Sequence, residues 1–336
     1  MSGVASAPPA APPARSQAFS LGGLRGLLRD SPIIPLIGLL VLLVLLFAVL
    51  RPGFINVDWG ASILRQAIPL AVLAACQTLT MLTGGIDLSV AAIASMTGFL
   101  VATLVGSVGL GPALGVALLC AALAGLVSGI GIGVFRVHPL IMTLGMSLIV
   151  VGLANVWQVQ RVQTGAGVPV ELRSLGAGTF LGILPNSLLL FAPLAAVVLI
   201  GLHRSGYGRL LYAIGDNPLA ARLSGVRSWQ VLIVLYVISA VLAGVAGFLY
   251  AGFTNTASVS LVETSLLPSV AAAVIGGTSI LGGRGGYGGT IVGALILTVA
   301  GALLNALGFK EADKLILFGS IVVVFTAAYA RITSDT

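Results

Sequence analysis

The stretch "IIPLIGLLVLLVLLFAVL" (residues 33–50) contains no charged side chain. A helix of roughly 20 apolar residues is long enough to cross the hydrocarbon core of a bilayer. A secretory signal peptide is the alternative, because basic residues precede the run. The run exceeds the usual apolar region of such peptides, however, and no small-residue cleavage motif follows it. We therefore expect a retained membrane-spanning helix.

The composition of the whole chain supports the same environment. Of its 336 residues 58% are hydrophobic and 7% are charged, whereas soluble domains carry about a quarter charged residues. The net charge of +7 does not indicate nucleic-acid binding, because the basic residues lie in short loops between apolar runs. Cys76 and Cys120 lie inside apolar stretches and form no disulfide framework.

Charged residues and Gly/Pro clusters divide the chain into about ten spans, which predicts an all-α fold, a polytopic membrane helix bundle. The predicted spans are 33–50, 66–82, 88–107, 110–134, 139–157, 183–202, 229–251, 266–281, 288–308 and 314–331. With both termini placed in the cytoplasm, ten of the 16 basic residues fall on the inner side, as the positive-inside rule requires.

Two regions are predicted along the chain. Residues 1–30 are rich in Ala and Pro, which indicates a disordered cytoplasmic tail. Residues 31–336 form one membrane domain.

Several glycines recur at helical spacing inside the spans. Gly125, Gly129 and Gly133 lie at i, i+4 and i+8, and Gly289 and Gly293 repeat the interval. Small residues at this spacing allow helix backbones to approach closely within a membrane. We expect close helix packing at these positions; a glycine-lined solute pathway is the alternative.

The sequence lacks the residues that several kinds of binding and catalytic chemistry require. No P-loop motif is present, and nothing in the sequence indicates a cofactor. The two histidines, His138 and His203, fall at predicted span ends, away from any metal-ligand pattern. No nucleophile is paired with a base at span depth, so we expect neither an enzyme nor a metal site. An ion-coupled transporter would place several ionisable residues inside its spans, and here only Asp87 and Glu263 come close.

A carboxylate stands directly behind two glycines in "LTGGIDLSVAAIASMTG", which contains Gly84, Gly85, Asp87 and Ser89. The simpler interpretation makes Asp87 the N-cap of the helix that follows. Alternatively the turn lies inside the bundle, where Asp87 would also border the solute path or its gate.

A second glycine pair resembles the first. Gly276 and Gly277, followed by Thr278, occur in "VIGGTSILGGRGGYGG". This similarity predicts two pseudo-symmetric repeats, as in many transporters. We include the three residues with the first motif as candidates for the path or gate.

The charged segment 203–228 contains a short helix bounded at both ends. Asn217 suits its N-cap and Pro218 its first position, and Gly225 suits the residue after its end. Leu219, Leu223 and Val226 would form an apolar ridge that fits a groove on another protein. A surface helix that folds back on its own bundle is the alternative. The candidate coupling residues are Asn217, Pro218, Leu219, Ala220, Arg222, Leu223, Gly225 and Val226.

At this segment the chain resembles a known family. "GRLLYAIGDNPLAARLSGV", "LTGGIDLSVAAIASMTG" and "AAAVIGGTSILGGRGGYGGTIVGALIL" are similar to three signature stretches of the permease subunits of ribose-type ABC sugar importers. The likeness extends from about residue 33 to the end. Ala91 departs from the family pattern, which has glycine there.

The resemblance implies a permease of about ten spans in the bacterial cytoplasmic membrane. Its implied partners are cytoplasmic ATPase subunits, a second permease subunit, identical or not, and a periplasmic sugar-binding protein. ATP hydrolysis would reside in the ATPases, and the imported solute would be a monosaccharide. Two alternatives remain: an ion-coupled secondary transporter, and an ABC permease for branched-chain amino acids or nucleosides.

Overall fold

The computed structural model describes residues 33–161, 167–320 and 323, and these ranges are almost entirely helical. The predicted tail, residues 1–30, lies outside the described residues. The prediction of an all-α membrane bundle is confirmed.

The helices and strands follow one another along the chain with short connections. They are α1 (Ile33–Leu50), α2 (Val57–Met81), α3 (Val90–Val108), α4 (Leu110–Gly133), α5 (Pro139–Arg161), α6 (Val170–Ala177), β1 (Thr179–Phe180), β2 (Leu184–Pro185), α7 (Ser187–Arg204), α8 (Gly206–Asp216), α9 (Pro218–Leu223), α10 (Ser228–Thr254), a 3₁₀ turn (Glu263–Ser265), α11 (Leu266–Ile275) and α12 (Tyr287–Ala306). Residues 311–320 are also helical. The two strands pair as a small antiparallel hairpin.

Eight of the described helices are long and apolar enough to cross a membrane: α1 to α5, α7, α10 and α12. They correspond to eight of the ten predicted spans. The predicted span 266–281 contains only the ten-residue α11, which covers about 15 Å at 1.5 Å per residue. It therefore crosses about half of a hydrocarbon core. The last predicted span, 314–331, lies largely outside the described residues.

Helix α2 begins nine residues before the predicted start at 66. Asn56 caps it, because its Oδ1 accepts a hydrogen bond from the Trp59 backbone N–H at 2.8 Å. Arg65, which marked a boundary in the sequence, lies inside the helix. Its guanidinium donates to the carbonyl oxygens of Ala61 and Ala177, so the charge is accommodated without ending the helix.

Helix α10 lies at the centre of the bundle and packs against α2, α3 and α4. Gly125, Gly129 and Gly133 of α4 lie directly on its backbone. A Cβ at Gly129 would lie 2.7 Å from the Ile233 Cα, and one at Gly133 would lie 2.8 Å from the Trp229 carbonyl oxygen. The prediction of close helix packing at these glycines is confirmed. Helix α1, by contrast, exposes most of its apolar side chains.

Replacement of Gly129 by alanine should destabilise the bundle, because the methyl group would force α4 and α10 apart. We expect the free energy of unfolding to fall by about 1–3 kcal/mol, the usual cost of overpacking. Thermal unfolding of the purified chain in detergent measures the change. Gly115→Ala is the matched control in the same helix, since a Cβ there has no neighbour within 4 Å. Equal destabilisation by both substitutions would contradict the packing role of Gly129.

Candidate functional site

Three connections that contain the sequence motifs meet at one end of the bundle. They are the first glycine loop (82–89, between α2 and α3), the second glycine loop (276–286, between α11 and α12), and the segment 205–227, which contains α8 and α9. We call this the glycine-loop end. The hairpin and α6 lie at the opposite end, where Arg65 contacts Ala177.

The first glycine loop turns sharply and then extends into the bundle. Gly84 has φ +77, in the left-handed region that glycine adopts without strain. Its N–H donates to the Met81 carbonyl at 2.9 Å, and the Gly85 N–H donates to the Thr80 carbonyl at 3.1 Å. These bonds satisfy the last carbonyls of α2, and the chain then extends to Asp87.

Asp87 is buried, with 1% of its surface exposed. Its Oδ1 accepts hydrogen bonds from the Ser89 N–H at 3.0 Å and the Ser89 hydroxyl at 2.5 Å. Its Oδ2 accepts from the Ser239 hydroxyl of α10 at 3.0 Å. Helix α3 begins at Val90, so Asp87 binds the turn that leads into the helix and is not its N-cap residue. Because Oδ2 is bonded to Ser239, Asp87 also ties the start of α3 to α10.

The backbone of Asp87 is held from α2. The Gln77 amide donates to the Asp87 carbonyl at 2.8 Å, and its Oε1 accepts from the Asp87 N–H at 3.3 Å. On the next residue, the Leu88 N–H donates to the Thr143 hydroxyl of α5 at 3.1 Å. Residues from α2, α5 and α10 thus fix the start of α3.

The Ser239 contact gives the depth of Asp87 in the bundle. Ser239 is the twelfth of the 27 residues of α10, which places it roughly 16 Å along the helix from Ser228 at 1.5 Å per residue. Helix α3 therefore begins well inside the bundle, close to half of the length of α10.

All the side chains that donate to the Asp87 carboxylate are neutral, and no described basic side chain pairs with it. The Tyr236 hydroxyl is also buried nearby, against Gly85, and has no hydrogen-bond partner among the described residues. The described surroundings of Asp87 are therefore polar and contain no second charged side chain in contact with it.

The second glycine loop packs closely against α12 where it begins. A Cβ at Gly276 would overlap the backbone of Gly289 and Thr290 in α12, and Gly277 has φ +88. The Thr278 hydroxyl is buried without a partner in the described part of the chain. No hydrogen bond joins Gly276, Gly277 or Thr278 to Asp87. The two groups of predicted path residues therefore lie in separate loops with no direct hydrogen bond from the second group to Asp87.

The two glycine loops nevertheless contact each other. The Gly283 N–H donates to the Leu82 carbonyl at 3.0 Å, and a Cβ at Gly282 would lie 3.0 Å from the Gly84 nitrogen. The second loop therefore lies against the turn that precedes Asp87.

Helix α8 inserts its C-terminal end between these loops. A Cβ at Gly215 would overlap the Leu82 carbonyl oxygen and lie 2.5 Å from the Gly283 nitrogen. The Tyr212 hydroxyl donates to the Gly285 carbonyl at 2.9 Å. The segment that contains the predicted coupling residues thus contacts both glycine loops.

Helix α9 follows directly. Asn217 Oδ1 accepts from the Ala220 N–H at 2.9 Å, and Gly225 has φ +85. Leu219 and Leu223 are 65% and 80% exposed. Val226 is half-buried against the core, so the exposed ridge is shorter than predicted. Of the other candidates, Pro218, Ala220 and Arg222 are exposed.

Several residues of this site were not predicted from the sequence: Gln77, Thr143, Gly215, Tyr236 and Ser239. Gln77 and Ser239 carried a detectable signal, because each is a polar side chain inside an apolar span and needs a hydrogen-bond partner there. Gly215 carried none, since only its three-dimensional neighbours show why a side chain cannot fit. Among the described residues, no three His, Cys, Asp or Glu side chains lie close enough to hold a metal ion.

Comparison with known proteins places the chain among transport permeases. Residues 61–325 match the family model for the branched-chain amino acid transport system / permease component. The ribose import permease protein RbsC of Bacillus subtilis is 34% identical over 293 residues, which cover 86% of this chain and 90% of the relative. RbsC of Escherichia coli K12 is 34% identical over 292 residues, with the same coverage.

A fructose import permease has a comparable sequence identity to this chain. FrcC of Rhizobium meliloti is 31% identical over 315 residues, which cover 90% of this chain and 87% of the relative. No solved structure matches the chain significantly. The long family match and these identities show that the chain belongs to the ABC transport permease family of the branched-chain amino acid and ribose type.

Proposed function

We propose that this chain is the membrane permease subunit of an ABC importer that carries a monosaccharide into the cell. Relatives that match most of the chain are named for ribose and fructose import. The contact of α8 with both glycine loops is the observation that carries the mechanism. It joins the surface available to an ATPase with the site around Asp87.

The proposed complex needs partners on both sides of the cytoplasmic membrane. ATPase subunits bind the glycine-loop end, which faces the cytoplasm together with both chain termini. A sugar-binding protein docks on the opposite end, and a second permease subunit completes the pathway. This orientation agrees with the bias of basic residues toward the glycine-loop end, where Arg136, Arg204, Arg209, Arg222, Arg227 and Arg284 lie.

Force would enter at α9 and reach the site through α8. An ATPase that holds Leu219 and Leu223 moves α9, and α8 moves with it because only Asn217 separates the two helices. Because the Gly215 backbone lies directly against Leu82 and Gly283, a displacement of Gly215 moves both residues. Leu82 lies five residues before Asp87, so its movement shifts the start of α3 relative to α10.

Asp87 acts in this mechanism as the anchor of a gate. Its carboxylate ties the start of α3 to Ser239 of α10, and the gate opens when that contact is exchanged for another. Gly84, Gly85 and Ser89 form the turn on each side of the anchor. Gly276, Gly277 and Thr278 border the gate from the second loop.

A second candidate function is ion-coupled transport without an ATPase. The buried carboxylate of Asp87 favours it, because such groups bind protons or cations in secondary transporters. Uptake by the purified chain alone in vesicles, driven by a proton or sodium gradient, would establish this function. The ABC mechanism predicts no uptake until the ATPases, ATP and the binding protein are added.

The identity of the solute can be tested independently of the transport mechanism. Ribose, fructose and leucine can be titrated calorimetrically into the soluble binding protein that associates with this permease. We expect binding of a sugar. Binding of leucine alone would leave the ABC mechanism intact and change the cargo to an amino acid.

Leu223→Asp should abolish association with the ATPase, because a charge replaces an exposed apolar contact at the interface. We expect at least a tenfold loss of affinity, as for other central interface residues. Co-purification from membranes measures the association. Leu181→Asp is the control, since Leu181 is 83% exposed at the opposite end. Undiminished association of Leu223→Asp would remove the coupling role of α9.

Gly215→Ala should uncouple ATP hydrolysis from transport, because the methyl group would separate α8 from the glycine loops. ATPase association should persist, while the amount of sugar moved per ATP hydrolysed falls. Gly201→Ala in α7 is the control, because a Cβ there has no neighbour within 4 Å.

Tyr212→Phe tests the same contact in a milder form. It removes one hydrogen bond to the second glycine loop, a loss of about 1 kcal/mol, and should reduce coupling less than Gly215→Ala. Normal coupling in both variants would exclude transmission through α8.

Asp87→Asn should retain assembly and most of the transport activity, because one amide oxygen still accepts from Ser89 and the Ser239 hydroxyl can reverse its bond. Asp87→Ala should destabilise the bundle, since each buried donor left without an acceptor costs about 1–3 kcal/mol. Thermal unfolding and reconstituted uptake measure the two effects. Loss of uptake by a stably assembled Asp87→Asn protein would show that the charge itself is required.

A further inference from the structure

A groove of about 710 Å³ opens beside α9 at the glycine-loop end. The last turn of α4, the connection 134–138, α9 and the first turn of α10 form its walls. Its floor is apolar, with Ile132, Val226 and Leu232. The gate and the transmission contact at Gly215 lie outside this groove, whereas Pro218, Leu219, Arg222 and Val226 of its lining are also coupling candidates.

Three arginines surround the groove: Arg136, Arg222 and Arg227. No acidic side chain lines it, and none of the three guanidinium groups has a hydrogen bond or ion pair to another described residue. The single ion pair of the described ranges, Lys314 with Glu311, lies at the opposite end. The groove therefore presents three uncompensated positive charges over an apolar floor.

Arg136 holds its position at a conformational cost. Its φ is +57, a region that residues other than glycine adopt rarely. Residues held in such conformations cluster at ligand sites, where the surrounding structure maintains them.

The groove lies at the level expected for the membrane surface. The ends of α4 and α10 meet there, with Gly133 against the Trp229 backbone. Trp229 lines the groove and is 46% exposed, and Val134 and Phe135 beside it are also exposed. Tryptophan favours the headgroup region of a bilayer, and the exposed apolar side chains would contact acyl chains.

We propose that this groove binds the headgroup of an anionic phospholipid, with the three guanidiniums on the phosphate. Basic pockets between membrane helices on the cytoplasmic side suit such headgroups. A lipid satisfies both features of the groove, because its phosphate pairs with the arginines while its acyl chains cover Phe135 and the apolar floor. The inference does not depend on the transported solute.

The test uses the purified full-length permease without its ATPase. After delipidation, phosphatidylglycerol and phosphatidylcholine are added separately, and native mass spectrometry measures the lipid retained. We expect preferential retention of phosphatidylglycerol. The triple substitution R136Q/R222Q/R227Q should weaken that retention about 100-fold, since each arginine near a membrane surface contributes roughly a factor of five.

The control R204Q/R209Q/R284Q removes the same number of charges from the same end of the bundle. It should retain phosphatidylglycerol like the wild type. If the triple variant is unstable, the single substitutions R136Q and R227Q serve instead, each with about a fivefold effect.

Four outcomes would overturn the proposal. They are equal retention of the two lipids by the wild type, equal losses in the triple variant and its control, displacement of the lipid by inorganic phosphate, and, in a separate co-purification with the ATPase, loss of ATPase association by a triple variant that keeps its lipid. Phosphate displacement would indicate a site for a soluble anion. The last outcome would assign the arginines to protein docking.

Discussion

A helix that begins inside a membrane domain leaves backbone N–H groups that neither water nor lipid can satisfy. Helix α3 begins in this way, and polar side chains accept hydrogen bonds from the N–H groups of the three residues before it, Asp87, Leu88 and Ser89. Asp87 binds the turn before the helix, Gln77 binds the backbone of Asp87, and Thr143 accepts from Leu88. These polar residues interrupt otherwise apolar spans because the broken helix needs hydrogen-bond partners at that depth.

The same requirement explains the shape of the neighbouring loops. A turn within a packed bundle must fit between backbones, so glycine occupies the points of closest approach. Gly84 reverses the chain after α2, and Gly215 lets α8 reach the carbonyl of Leu82. Hydrogen bonding at Asp87 and close approach at Gly215 belong to one continuous structure, because only four residues separate Leu82 from Asp87.

Most of the membrane-spanning helices could be predicted from the sequence. The depth at which α3 begins inside the bundle could not. Long apolar runs such as 33–50 specify spanning helices through length and composition alone. The helical spacing of Gly129 from Gly125 and Gly133 predicted its role in helix packing. Arg65 misled the prediction of α2, because its guanidinium donates hydrogen bonds to the carbonyls of Ala61 and Ala177, and no local pattern shows the second of these contacts. Helix α8 was missed because three glycines weaken its helical signal, although Leu211 and Ile214 are buried on one face. The partner of Asp87, Ser239, lies 152 residues away, beyond the reach of any local rule.

The contact between α8 and the glycine loops consists mainly of main-chain atoms. The atoms around Gly215 are the Leu82 carbonyl and the Gly283 nitrogen, and these are identical in every amino acid. The side chains of α9 that face outward lie on the other side of this junction. In the proposed mechanism, recognition of a partner and transmission of its movement therefore reside in separate sets of atoms, so the outer face of α9 can be redesigned for a different partner while the junction stays intact.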